Sequence, residues 1–292
     1  MKRFALCLLC LLLVGTLIVA NGRSSANGLS LFGTAAASPV ERLVPKVLAV
    51  RPHDKLAFTE GLLLHAGALY ESTGYYGQST LRKVDLQTGK VLQQVPLQSI
   101  YFGEGLALAG NRLVQLTWRE QAAFVYDVDT FALLGTFAYF NEGWGLCFDG
   151  SQFFQTDGSH NITARDPKTF QVIRQLAIQY DGSFVESLNE LECAGDSLYA
   201  NVWHTDHILR IDKQTGRVIA EIDASGLLAP KETCEAGTEG VLNGIAYDAQ
   251  RDTFWITGKL WPWIFEVRFV PRPPTQPVQP AISPTPCDRS GG

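Results

Sequence analysis

The sequence predicts an all-β fold, a five-bladed β-propeller whose ring is closed by an N-terminal strand completing the last blade. Three features of the 292-residue chain predict it. An apolar strand, a turn and a second strand rich in Leu, Tyr, Phe or Trp recur five times, at a spacing of roughly 40–50 residues that suits four-stranded blades. The links between strands carry the Gly, Asn and Asp of hairpin turns. No long window keeps apolar residues at i, i+3, i+4 and i+7, which argues against a helical fold.

The five repeats open as "FTEGLLLHAGALYESTG", "FGEGLALAGNRLVQLTW", "GWGLCFDGSQFFQTDG", "LNELECAGDSLYANVW" and "LNGIAYDAQRDTFWITG". Each continues into a third strand of short apolar alternation: "LRKVDL", "AAFVYDV", "ITARD", "ILRID" and "IFEVRF". Four repeats then turn into a fourth strand, as in "VDLQTGKVLQQV" and "IDKQTGRVIAEI". The fifth has none. "VPKVLAVRPH", ahead of the first repeat, can supply it, and that pairing removes two exposed sheet edges.

Outside the repeats the composition changes. "MKRFALCLLCLLLVGTLIVANGRSSA" has the basic start, apolar stretch and small residues of a signal peptide over 1–26, so the protein is expected to be exported, secreted or periplasmic. An uncleaved N-terminal membrane anchor is the alternative. Residues 27–43 read as a linker, 44–270 as the propeller and 271–292 as a proline-rich tail. The net charge of −5 offers no basic tract for nucleic acid, and the domain is expected to be monomeric. No C-x-x-C pair suggests zinc. Export permits disulfides, and a Cys234–Cys287 bridge would pin the tail. Cys147 and Cys193 read as small buried apolar residues.

In a propeller, first strands line the central channel and their starts crowd one mouth. That mouth would collect Phe58, Glu60, Phe102, Glu104, Trp144, Asn189, Glu190 and Asn243, with Trp118, Trp203 and Lys259 from loops after second strands. Trp118 and Trp255 are expected to fill wedge space between blades, Asp149, Asp157 and Asp166 to serve turns, and His53 and His204 to act as hydrogen-bond partners. Gly103 and Gly105 leave room for backbone and substrate beside Glu104. Buried among aromatic walls, a carboxylate gains proton affinity, and a second carboxylate raises it further. That suits a proton shuttle. An oxygen-rich mouth also suits calcium. The residue types alone leave both readings open.

The motifs "FTEGL", "LYESTGYYGQS", "FGEGL", "QLTW", "GWGL", "LNELE", "NVWHTD", "VLNGIA" and "TGKLWP", in this order from about Arg51 to Val267, resemble the plant-type glutaminyl cyclases, which also occur in bacteria. The resemblance implies a five-bladed propeller and an acyltransferase, a glutaminyl-peptide cyclotransferase. Such enzymes convert the N-terminal glutamine of peptides and proteins to pyroglutamate and release ammonia. It implies Glu104, Lys259 and Asn189 as catalytic residues, with Phe58, Glu60, Phe102, Trp144 and Trp203 binding substrate. No cofactor or catalytic metal is expected, though the channel leaves room for a structural calcium. One position departs: the family pattern has Gln where this chain has Glu60. The alternatives are a calcium-dependent lactonase-like propeller and a non-catalytic propeller that binds a ligand or partner.

Overall fold

The computed structural model describes residues 39–274. Residues 1–38 and 275–292, where the expected signal peptide, most of the expected linker and most of the expected tail with Cys287 fall, lie outside them. The chain is all-β, with one short helix among the described residues. Strand β1 (Glu41–Pro52) is followed by β2 (Thr59–His65), β3 (Ala68–Thr73), β4 (Thr80–Asp85) and β5 (Val91–Pro96), hydrogen-bonded in that order as one sheet. The next sheet is β6 (Gly103–Ala109), β7 (Arg112–Thr117), β8 (Ala122–Asp127) and β9 (Leu133–Ala138). The third is β10 (Leu146–Phe148), β11 (Phe153–Thr156), β12 (Asn161–Arg165) and β13 (Val172–Ala177). A two-stranded excursion, β14 (Gln179–Tyr180) and β15 (Ser183–Phe184), leads to β16 (Leu188–Ala194), β17 (Ser197–Val202), β18 (His207–Asp212) and β19 (Val218–Asp223). Helix α1 (Pro230–Ala236) precedes β20 (Leu242–Asp248), β21 (Thr253–Gly258) and β22 (Trp263–Pro271).

Each unit is a meander, as its hairpin turns dictate. Asp85, Asp127, Asp166 and Asp212 each accept hydrogen bonds from the backbone N–H and the hydroxyl of the Thr three residues on, which closes the D-x-x-T turns before β5, β9, β13 and β19. Burial follows position. Strands β3 and β21 are buried at every residue, whereas β5, β9 and β13 are largely exposed.

The first strands touch in cyclic order: β2 with β6, β6 with β10, β10 with β16, β16 with β20, and β20 with β2. Five apolar clusters sit between successive units. The one joining the last unit to the first holds Leu62, Leu69 and Val84 against Ala246, Trp255 and Ile264. Trp255 is core there, as expected. The arrangement is propeller-like.

Strand β1 starts at Glu41, earlier than expected, and runs antiparallel to β22 from Leu43 to Pro52 with a bulge between Val47 and Ala49. It also pairs in parallel with β19 through Glu41–Leu43, an unpredicted contact that merges the last two units into one eight-stranded sheet.

The cysteine expectation needs correction. Cys147 and Cys193 are not free thiols: they form a disulfide between β10 and β16, with Cα atoms 5.5 Å apart. Cys234, on α1, is also disulfide-bonded, and its partner lies outside the described residues.

First strands approach so closely that a side chain is excluded where they meet, as at Gly105. A Cβ on Gly105 would lie 2.4 Å from the Trp144 carbonyl oxygen and 2.5 Å from the Leu146 nitrogen. Gly105→Ala should therefore cost about 1–3 kcal/mol by overpacking, seen as a lower urea midpoint. Gly135→Ala is the control, because nothing lies within 4 Å of a Cβ there. Equal midpoints for the two variants would contradict the packing account.

Candidate active site

Four first strands share a register break at their start. The β2–β3 pairing steps from Thr59–Thr73 to Gly61–Ser72, and β6–β7 from Gly103–Thr117 to Leu106–Gln115. Strands β16 and β20 break between Leu188 and Leu191 and between Leu242 and Ile245. A bulge re-aims the side chain at the break. Glu60, Glu104, Asn189 and Asn243 sit at these breaks, and Trp144 fills the matching place before β10.

The next residue in each unit is Gly61, Gly105, Gly145, Glu190 or Gly244. The glycines admit the neighbouring first strand, so the space beside Glu104 belongs to protein rather than substrate: a Cβ on Gly103 would meet the Thr73 oxygen at 2.7 Å. Glu190 is the exception, and its role is structural. Its carboxylate accepts from Leu62 N at 3.2 Å and Ile245 N at 2.8 Å, joining three first strands.

A second set of residues follows the second strands. Gly74, Trp118, Trp203 and Lys259 each donate their backbone N–H to the chain just before the matching break, at Phe58, Phe102, Ser187 and Val241. This places Trp118, Trp203 and Lys259 at the same end as Glu104. Trp118 is not a wedge filler. It is half-buried, packs on Phe102 at 5.6 Å between centroids and donates from Nε1 to Glu142 Oε2 at 2.6 Å.

The charges are few and buried. Lys259 Nζ donates to Glu60 Oε1 at 2.7 Å and lies 4.5 Å from the Phe58 ring centroid. Asn243 Nδ2 donates to Glu60 Oε2 at 3.3 Å and to the Thr59 carbonyl at 2.9 Å. Glu60 is thus held by protein groups on both oxygens. Glu104 is 5 % exposed, and its Oε2 has no hydrogen-bond partner among the described residues. Burial pushes its carboxyl well above the ordinary glutamate value; Glu60 adds to this, Lys259 opposes it, and Glu142 and Glu120 add a little more. Burial also raises Glu60, against the pull of Lys259.

Aromatic rings wall this pair. Phe58 lies tilted against Tyr75 at 4.1 Å between centroids, Phe102 meets Tyr76 at 5.4 Å, and Trp144 meets Trp203 edge-on at 5.5 Å. Gly74 makes room for Phe102, and Gly158, at φ +79°, for the Trp144 indole. Asn189 is buried at its break, where its carbonyl accepts from Thr156 Oγ1 at 2.7 Å. His53 is a hydrogen-bond partner, as expected: it bridges the Trp261 carbonyl and Glu71, which Arg82 also holds. Among the described residues no group of three His, Cys, Asp or Glu is arranged to hold a metal ion.

Glu142 is not singled out by the sequence, whereas Tyr75 and Tyr76 lie in the 73–78 loop after the second strand of the first repeat, which is expected at this mouth. For Glu142, its place just before "GWGL" was the available signal.

The propeller-like scaffold buries an unpartnered carboxylate and an ion pair at one end, beside a group of aromatic rings. Residues 17–269 match the family model for glutamine cyclotransferases. The chain is 38% identical over 276 residues to a glutaminyl-peptide cyclotransferase of Arabidopsis thaliana, covering 91% of this chain and 84% of that one. It superposes on the crystal structure of Myxococcus xanthus glutaminyl cyclase with a TM-score of 0.75 and 38% identity, over 80% of this chain and 100% of that one. The protein belongs to the glutamine cyclotransferase family.

Proposed function

We propose that this protein is a glutaminyl-peptide cyclotransferase acting on peptides and proteins with N-terminal glutamine, built on a five-bladed propeller over 44–270 that β1 closes. The observation that carries the catalytic assignment is Glu104, buried, unpartnered on one oxygen and set among aromatic rings beside Lys259.

The attacking amine and the γ-carboxamide belong to one glutamine, so the first task is to hold the side chain folded back. Phe58, Phe102, Trp144 and Trp203 supply the walls. The neutral α-amine attacks the side-chain carbonyl carbon. Glu104 takes one proton from the attacking nitrogen and returns it to the leaving nitrogen. The new C–N bond closes the five-membered ring, the old one breaks, and ammonia leaves with Glu104 regenerated. Lys259 and the Asn189 amide stabilise charge on the carbonyl oxygen. The scheme draws on no cofactor, and any calcium in the channel is structural. Glu60 supports Lys259 rather than contacting substrate. Export is supported by the disulfide chemistry of Cys147, Cys193 and Cys234. Among the described residues no helix is long and apolar enough to cross a membrane.

The purified protein should release ammonia from peptides beginning with Gln but not from those beginning with Asn, which would need a four-membered ring. A chelator should leave the rate intact. Full loss of rate on chelation would favour the calcium-dependent alternative.

Glu60→Gln should move the acid limb of kcat/KM to lower pH. Glu104 must be deprotonated to accept the proton, and the Glu60 charge raises its proton affinity. Removing that charge lowers it, so activity persists further into acid. An unmoved or alkaline-shifted limb would separate Glu60 from Glu104.

A further inference from the structure

Glu142 precedes "GWGL" and sits outside the catalytic scheme, yet three donors converge on it. Its Oε2 accepts from Trp118 Nε1 at 2.6 Å and from Trp144 Nε1 at 3.0 Å. Its Oε1 accepts from Arg119 Nε at 3.0 Å, and the Arg119 guanidinium lies 3.7 Å over the Trp118 ring. The two indoles come from different units. Each indole continues to a further ring, Trp118 to Phe102 at 5.6 Å and Trp144 to Trp203 at 5.5 Å. The backbone of Glu142 is itself fixed. Buried Gln155 donates to its carbonyl at 3.1 Å, and buried Arg165 holds Gln155 at 2.6 Å.

We propose that Glu142 is a positioning residue that ties Trp118 and Trp144 into one continuous wall and thereby sets how tightly the pocket holds a glutaminyl group. The proposal rests on the cyclotransferase reading for its substrate. Burial works against the charge on Glu142, but the bonds from Trp144, Trp118 and Arg119 outweigh it and keep the carboxyl below the ordinary glutamate value. An acceptor is needed because both indoles can only donate. Hydrogen bonds to a charged acceptor are stronger than neutral ones, which suits a group that must fix two large rings.

Glu142→Ala should raise KM for glutaminyl peptides about tenfold while kcat stays within about threefold, because it loosens binding and Glu142 is only a minor contributor to the proton affinity of Glu104. Its tryptophan emission should shift to the red and become more open to acrylamide quenching. Glu142→Gln, which keeps one oxygen for the indoles, should restore most of the KM and the emission. If Glu142→Ala does not fold, Glu142→Met removes the acceptor and keeps the bulk, with the same expectation. Unchanged KM and unchanged emission in a folded variant would overturn the proposal, as would a fall in kcat alone. If the wild type does not turn over glutaminyl peptides at all, the substrate reading fails, and the emission shift still decides whether Glu142 fixes the indoles.

Discussion

Glu104→Gln should fold normally and lose a factor of about 10²–10⁴ in kcat on peptides beginning with glutamine. The substitution keeps the shape of the side chain and removes its capacity to accept and return a proton. The same variant carries a stability signature of known sign. In the folded protein the Glu104 carboxyl binds its proton more tightly than at the reference value of 4.5. Its contribution to stability is therefore fully present below that value and is lost as pH rises through the folded value. At neutral pH the wild type bears this loss and the glutamine variant does not. Urea unfolding should find Glu104→Gln at least as stable as wild type at neutral pH, with the difference shrinking towards pH 4. A near-wild-type kcat would remove Glu104 from the proton path. A variant less stable at neutral pH than at acid pH, relative to wild type, would contradict its buried, unpartnered state.

Reducing the Cys147–Cys193 disulfide should cost about 4 kcal/mol of folding stability, the chain-entropy value for a loop of this size. The bridge closes 46 residues and staples the first strands of the third and fourth units, β10 and β16, next to a cluster that includes Phe154, Leu188, Leu191 and Leu198. Paired urea titrations of the oxidised protein and of Cys147→Ala/Cys193→Ala should differ by this amount, apart from a smaller loss from the cavity. Coincident midpoints would show that the bridge does not constrain the unfolded chain.

The disulfide also shows where sequence reasoning stopped. The repeats align Leu146 with Leu191, so Cys147 and Cys193 fall one register step apart on neighbouring first strands. That information was in the alignment, but it becomes a contact only once the units are wrapped round a common axis. The four-stranded units themselves were legible because their turns use D-x-x-T and Gly at fixed offsets, which local chemistry dictates. Glu104 stood out for a related reason: a carboxylate between two glycines at a strand start conflicts with local rules, and the fold does bury it there.

Other features depend on partners far away in the chain. Nothing local in "FTEGL" shows that Glu60 is paired with Lys259, 199 residues on. Glu190 looks like a mouth carboxylate until backbone donors from β2 and β20 claim it. Glu142 carries no motif of its own, because its role exists only where two indoles from separate units meet. The parallel contact of β1 with β19 has no sequence signal either, since it pairs strand edges.

The most direct test is to incubate the purified protein with a glutaminyl peptide and quantify ammonia and peptide products together. The account predicts one ammonia for each pyroglutamyl peptide, with the aromatic walls keeping water from the reacting carbonyl. Ammonia matched by peptide with N-terminal glutamate would mean that water, not the α-amine, is the nucleophile, and no ammonia at all would mean that the site does not perform this reaction.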